Sequence, residues 1–198
     1  ADTSWWRLSA ARQQGADTYH GEILAEATEH TLDLSRYQVL VAATENEAYN
    51  ALVCMEFAPE LGRDAVYQLG EPGHHDDPRA LPRAIRGRSL FESGADMEEM
   101  HRRQTAGWEF RKTRLSDRFG IDDARAALPD DADFLLVLRK DGSVRFFTHA
   151  SRPSPGNGDL VLSYSPPEAP ASSRAQSARD RKVDSNAPAL IKPGENPA

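Results

Sequence analysis

The chain has 198 residues, 24 Lys and Arg against 31 Asp and Glu, a formal net charge of -7 and 39% hydrophobic residues. This acidic balance argues against a nucleic-acid partner, which leaves a basic footprint. The single Cys54 excludes an intrachain disulfide and any CxxC metal or redox site, and no apolar run approaches the roughly 20 residues a spanning helix needs.

Read from the start, Ala1 to Ser4 leads into a helical pattern, with Trp5, Leu8 and Ala11 at helical spacing, Asp2 or Ser4 placed to cap it and Gly15 to end it. Ala16 to His20 is expected as a short strand closed by Gly21. Glu22 to Thr31 reads as a second helix, with Ile23, Ala27 and His30 or Thr31 along one side, and Asp33 to Ser35 punctuates. Val39 to Ala43 is a continuous apolar run and predicts a strand covered on both faces, as in a parallel sheet. Thr44 with Glu47 fits a capping box. The helix it opens places Ala48, Ala51, Leu52, Met55 and Ala58 on one stripe, with Pro59 and Gly62 to stop it, and Ala65 to Leu69 makes another strand. This alternation predicts parallel βαβ units. Three strands leave broad edges, so a further strand is expected before Asp2.

The stretch 71–89 is rich in proline and charge and reads as a linker; its His74, His75, Asp76 and Asp77 are ligand types, but adjacent side chains in an extended loop diverge and do not close a metal site. A second unit, 90–166, is expected to be a small α+β domain with a mostly antiparallel sheet. It has an acidic-then-basic helix at Ala95 to Gln104, a strand at Trp108 to Lys112 and a short helix at Asp122 to Leu128. A hairpin follows, Phe134 to Leu138 and Val144 to Thr148, whose Asp141-Gly142 favours a type I′ turn. Leu160 to Tyr164 is a last strand. From 167 to 198 Pro, Ala, Ser and Arg dominate, which predicts a disordered tail.

Catalytic chemistry has little to stand on. The histidines are dispersed, no serine sits in a GxSxG elbow, and Cys54 lies inside a helix beside the apolar stripe, so the chain is not expected to be an enzyme. Nucleotide binding is better motivated. In an open parallel sheet ligands bind beyond the carboxyl ends of the strands, where Ala43 to Asn46 would lie, and Asp2 stands before a helix, where an acidic residue bonds a ribose hydroxyl in a Rossmann domain. The glycine-rich phosphate loop belongs roughly 20 residues upstream of such a residue.

Ala1-Asp2-Thr3-Ser4, Ala10 to Gly15, Tyr19 to Leu24, Leu32-Asp33-Leu34, Ala42 to Leu52 and Phe57 to Arg63 together resemble the cytoplasmic region of bacterial monovalent cation:proton antiporters of the CPA1 (NhaP-like) type, a TrkA-N-like, or RCK, Rossmann domain. The similarity covers about residues 1–70, and Phe134 to Pro166 resembles more loosely the small TrkA-C-like domain that follows. The resemblance implies a partial Rossmann-like sheet, truncated before its first strand and glycine loop. It also implies a cytosolic regulatory module at the inner face of the bacterial inner membrane. Its partners would be a transmembrane antiporter domain upstream and a second copy of itself. By position, Asp2 would meet the ribose of NAD(H) or an adenine nucleotide, Gly21 and Glu22 would lie by the adenine, and Thr44 with Asn46 would line the sheet edge. Glu22 departs from the family's usual Asp or Asn. A freestanding nucleotide-binding subunit of potassium uptake, or an interaction domain that has lost its ligand, fits the same motifs.

Overall fold

The computed structural model describes residues 1–29, 31–70, 82 and 85–167, and residues 1–166 form one compact unit. Two sheets organise it. In the first, β1 (Leu40–Ala42), β2 (Val66–Gln68) and β3 (Arg88–Ser89) run parallel in that order, with Leu40 opposite Val66 and Tyr67 opposite Arg88. Helix α3 (Glu47–Leu61) connects β1 to β2 and packs against both. It runs through Pro59 and ends at Gly62, whose φ of 92° suits a residue without a Cβ.

The inward face of α3 is Asn50, Ala51, Val53, Cys54, Phe57 and Ala58. The expected stripe is therefore turned: Leu52 stays 50% and Met55 43% exposed. Apolar residues occupy two sides of this helix, and periodicity alone does not say which side meets the sheet. Val41 of β1 is 40% exposed, so the expected covering of both strand faces is incomplete.

Further corrections fall on either side. Helix α1 (Trp5–Gln13) forms as expected and is capped by Ser4, whose hydroxyl accepts from the Arg7 amide. The expected strand at 16–20 shrinks to one parallel bridge between Asp2 and His20, and the second helix shrinks to the single turn α2 (Glu26–Glu29); His30 lies outside the described residues. β3 comes from the stretch expected as linker, and Phe91 follows it with a φ of 64°, the one non-glycine described residue in left-handed backbone. The histidine–aspartate run 74–77 and the tail beyond 167 lie outside the described residues.

The second sheet is antiparallel, in the order β4 (Glu109–Arg114), β7 (Leu160–Ser165), β5 (Asp133–Leu138), β6 (Val144–Phe146). One face packs on α5 (Ile121–Ala126) through Leu115, Ala124, Phe134, Val137, Phe147 and Val161. The other meets α4 (Met97–Thr105) and the parallel layer in a shared core of Tyr67, Leu69, Leu90, Phe91, Leu135 and Tyr164. The Phe91 amide donates to the Phe147 carbonyl at 3.0 Å and so ties the two layers together.

The hairpin forms where the sequence places it, but its turn is different. Only Gly142 has positive φ. Its amide donates to the Arg139 carbonyl while the Arg139 amide donates to Ser143, which is a type I turn closed by a glycine bulge.

Candidate functional site

The carboxyl ends of β1 and β2 open beside the first turns of α3 and α4. Chain direction there is fixed by one buried amide, Asn50, which is 0% exposed. Its Oδ1 accepts the Thr44 amide at 3.0 Å and the Thr44 hydroxyl at 2.7 Å, and its Nδ2 donates to the Thr44 carbonyl at 2.9 Å. The side chain thus replaces a neighbouring strand for Thr44, satisfying backbone groups that would otherwise be orphaned where the sheet stops. Because Thr44 is committed to Asn50, the expected Thr44–Glu47 capping box does not form. Asn46 is the N-cap instead, its Oδ1 accepting from the Tyr49 amide at 3.0 Å.

Between these helix starts lies a cavity of about 350 Å³, with Thr44 and His101 on its walls, Leu69 and Met97 as apolar lining, and the carboxylates of Glu45, Glu47, Asp96 and Glu98 around them. Two helix N-termini face it, but acidic side chains already answer both dipoles: Asp96 caps α4 by accepting the Glu99 amide at 2.7 Å. Partial burial, and then the neighbouring Asp96 charge, raise the Glu47 pKa above its ordinary value. Gly70, with φ 94°, closes the β2 side, and a Cβ there would come within 2.7 Å of the Glu47 Oε1. The site therefore favours groups that donate hydrogen bonds and repels phosphate.

Of the residues the sequence points to, Thr44 and Asn46 lie together at this edge. Asp2 and Gly21 lie together elsewhere: the Gly21 amide donates to the Asp2 carbonyl at 3.2 Å, and the Asp2 amide to the Tyr19 carbonyl at 3.1 Å. The Asp2 carboxylate accepts the Ser4 amide at 2.7 Å and stands 3.8 Å from Arg7. The Glu22 carbonyl accepts the Thr28 hydroxyl at 2.7 Å, while its carboxylate is on an exposed residue. Asn50 is the residue the sequence reading missed. Its signal was a carboxamide on a helix side otherwise made of Ala51, Cys54 and Phe57, where a polar group persists only if it is fully bonded.

Cys54 belongs to the core. Its thiol donates to the Tyr67 carbonyl at 3.3 Å, and burial pushes its pKa up to about 11. Among the described residues no group of three or more His, Cys, Asp or Glu is placed to hold a metal ion, and no helix is long and apolar enough to cross a membrane.

No protein-family model matches the chain, and no curated protein matches it in sequence. Among solved structures it is similar to the "Crystal Structure of the GsuK RCK domain", at 10% identity and a TM-score of 0.28, covering 86% of this chain and 38% of that one. At that score the likeness carries no argument about fold or function, and the chain spans well under half the length of that structure.

Proposed function

We propose that the chain is a regulatory, non-catalytic module of a cation-transport system, and that it senses NAD(H) or an adenine nucleotide at the carboxyl edge of its parallel sheet. The observation that supports this best is the Asn50–Thr44 lock beside a cavity of about 350 Å³, where ligands of open parallel sheets bind. The resemblance of residues 1–70 to antiporter regulatory domains supplies the transport context. The acidic walls refine the ligand: ribose hydroxyls donate to carboxylates, whereas phosphates must point outwards. In this reading the module works at the inner face of the membrane, pairs with a second copy and passes a ligand-dependent change to a transmembrane sodium or potassium:proton antiporter domain. That coupling requires different ligand affinity in two arrangements.

Calorimetric titration of the chain tests it. Adenosine and AMP are expected to bind more tightly than ATP at low salt, and Asn50→Ala to weaken adenosine about 10-fold or more, equivalent to roughly 1.4 kcal/mol. Absence of heat with adenosine, AMP, ATP and NAD(H) alike would overturn the reading. A freestanding regulator of potassium uptake would bind the same ligands; co-purification with a membrane antiporter domain separates the two.

A further inference from the structure

The turned face of α3 has a consequence of its own, separate from the ligand edge. Leu52 and Met55 are 50% and 43% exposed, and together with Ile23 and Leu34 they line a groove of about 360 Å³ between α3 and the segment before β1. Glu56 and Glu60, one helical turn apart, stand on its rim. From Glu47 to Leu61 the helix carries three glutamates and not one Lys or Arg.

The charge decides the occupant. A second copy docked about a two-fold axis through Leu52 and Met55 sets acidic α3 against acidic α3, because a two-fold contact matches a surface with itself. An anionic lipid surface meets the same repulsion. What complements the groove is an apolar ridge flanked by cations. The spacing of Leu52 to Met55 and of Glu56 to Glu60 fits a facing helix with leucine-like residues at i and i+3 and Lys or Arg one turn apart. We propose that this groove docks a basic amphipathic helix of a partner protein.

The test uses the full chain and a labelled, roughly 16-residue Leu/Lys amphipathic helix, read by fluorescence anisotropy. Its controls are a Leu/Glu helix of the same apolar face and a Lys/Ser peptide without one. The Leu/Lys helix is expected to bind saturably and both controls to fail. Met55→Glu, on an exposed residue, is expected to weaken binding about 10-fold or more while leaving the melting temperature within a few degrees. Glu56→Lys with Glu60→Lys is expected to switch preference to the Leu/Glu helix, whereas Glu109→Lys, on β4, changes nothing. Equal binding of the Lys/Ser peptide, indifference to Met55→Glu, or binding to neutral phosphatidylcholine vesicles in place of the peptide would overturn the proposal. So would concentration-dependent dimerisation lost in Met55→Glu with no peptide binding, which would assign the groove to a second copy.

Discussion

The antiparallel sheet and the parallel layer share a core but are held in different ways. β4, β5 and β7 are six residues each and pair along their lengths, so backbone ladders and facing buried pairs such as Val137 and Val161 place them. The parallel strands are three, three and two residues long. Side chains reinforce their short ladders: Asn50 of α3 bonds Thr44 just beyond β1, Cys54 of α3 donates to the Tyr67 carbonyl, and Gln68 of β2 accepts the Gly87 amide through Oε1 at 2.9 Å. A Cβ on Gly87 would come 2.5 Å from the Cys54 sulfur, which shows how closely β3 approaches α3. A layer of short strands reinforced by a few side-chain hydrogen bonds opens more readily than a fully laddered sheet, and ligand-responsive elements come from that softer end.

The comparison is broken most strongly in the antiparallel half. Phe134 is 2% exposed and packs on Phe147 at a ring separation of 5.5 Å. Phe134→Ala is expected to cost about 3–5 kcal/mol in denaturant unfolding. Next comes Arg103, which pairs with both Glu99 and Asp133 and lies over the Trp108 ring at 4.5 Å. Asp133 is 8% exposed, so Arg103→Met leaves a buried carboxylate without its cation and is expected to cost about 2–4 kcal/mol. In the parallel layer, Asn50→Ala is expected to cost about 1–3 kcal/mol and to speed amide exchange around Thr44 while β5 and β7 stay protected. Equal loss of protection in both sheets would erase the distinction.

The smallest effect is in pH dependence, and its sign differs between the regions. Hydrogen bonding by Arg103 holds the Glu99 pKa below its ordinary value of 4.5. Its contribution is present above that value and is lost as pH falls through the lowered pKa. Glu47 is raised above 4.5. The folded state therefore holds its proton more tightly, so stability rises as pH falls through the raised pKa towards 4.5. Glu47→Gln is expected to remove the second dependence and leave the first, read as unfolding midpoints across about pH 2 to 7.

The same contrast governs what the sequence disclosed. β-rich runs and Asp141-Gly142 are local signals, and they located β5, β6 and β7; only the turn type differed, because the left-handed residue is Gly142 alone. β1, β2 and α3 were also legible, but the inward face of α3 was not, since Leu52 and Met55 are as apolar as Val53 and Phe57. β3 left no trace, because Arg88-Ser89 has no strand composition and pairs only through its register with Tyr67 and Gln68. At the site, Thr44 and Asn46 followed from their place at a strand end. The carboxylates of Asp96 and Glu98 reach the same cavity from a helix some fifty residues away, a proximity that only the folded chain defines.

The most direct test of the proposed sensing edge is an amide chemical-shift titration of the isotope-labelled chain with adenosine. Saturable shifts are expected at Thr44, Asn46, Gly70 and Asp96 and at the Asn50 side-chain amide, with Phe134 to Leu138 unmoved. Shifts confined to residues away from the carboxyl ends of β1 and β2, or no shifts at saturating adenosine, would contradict it.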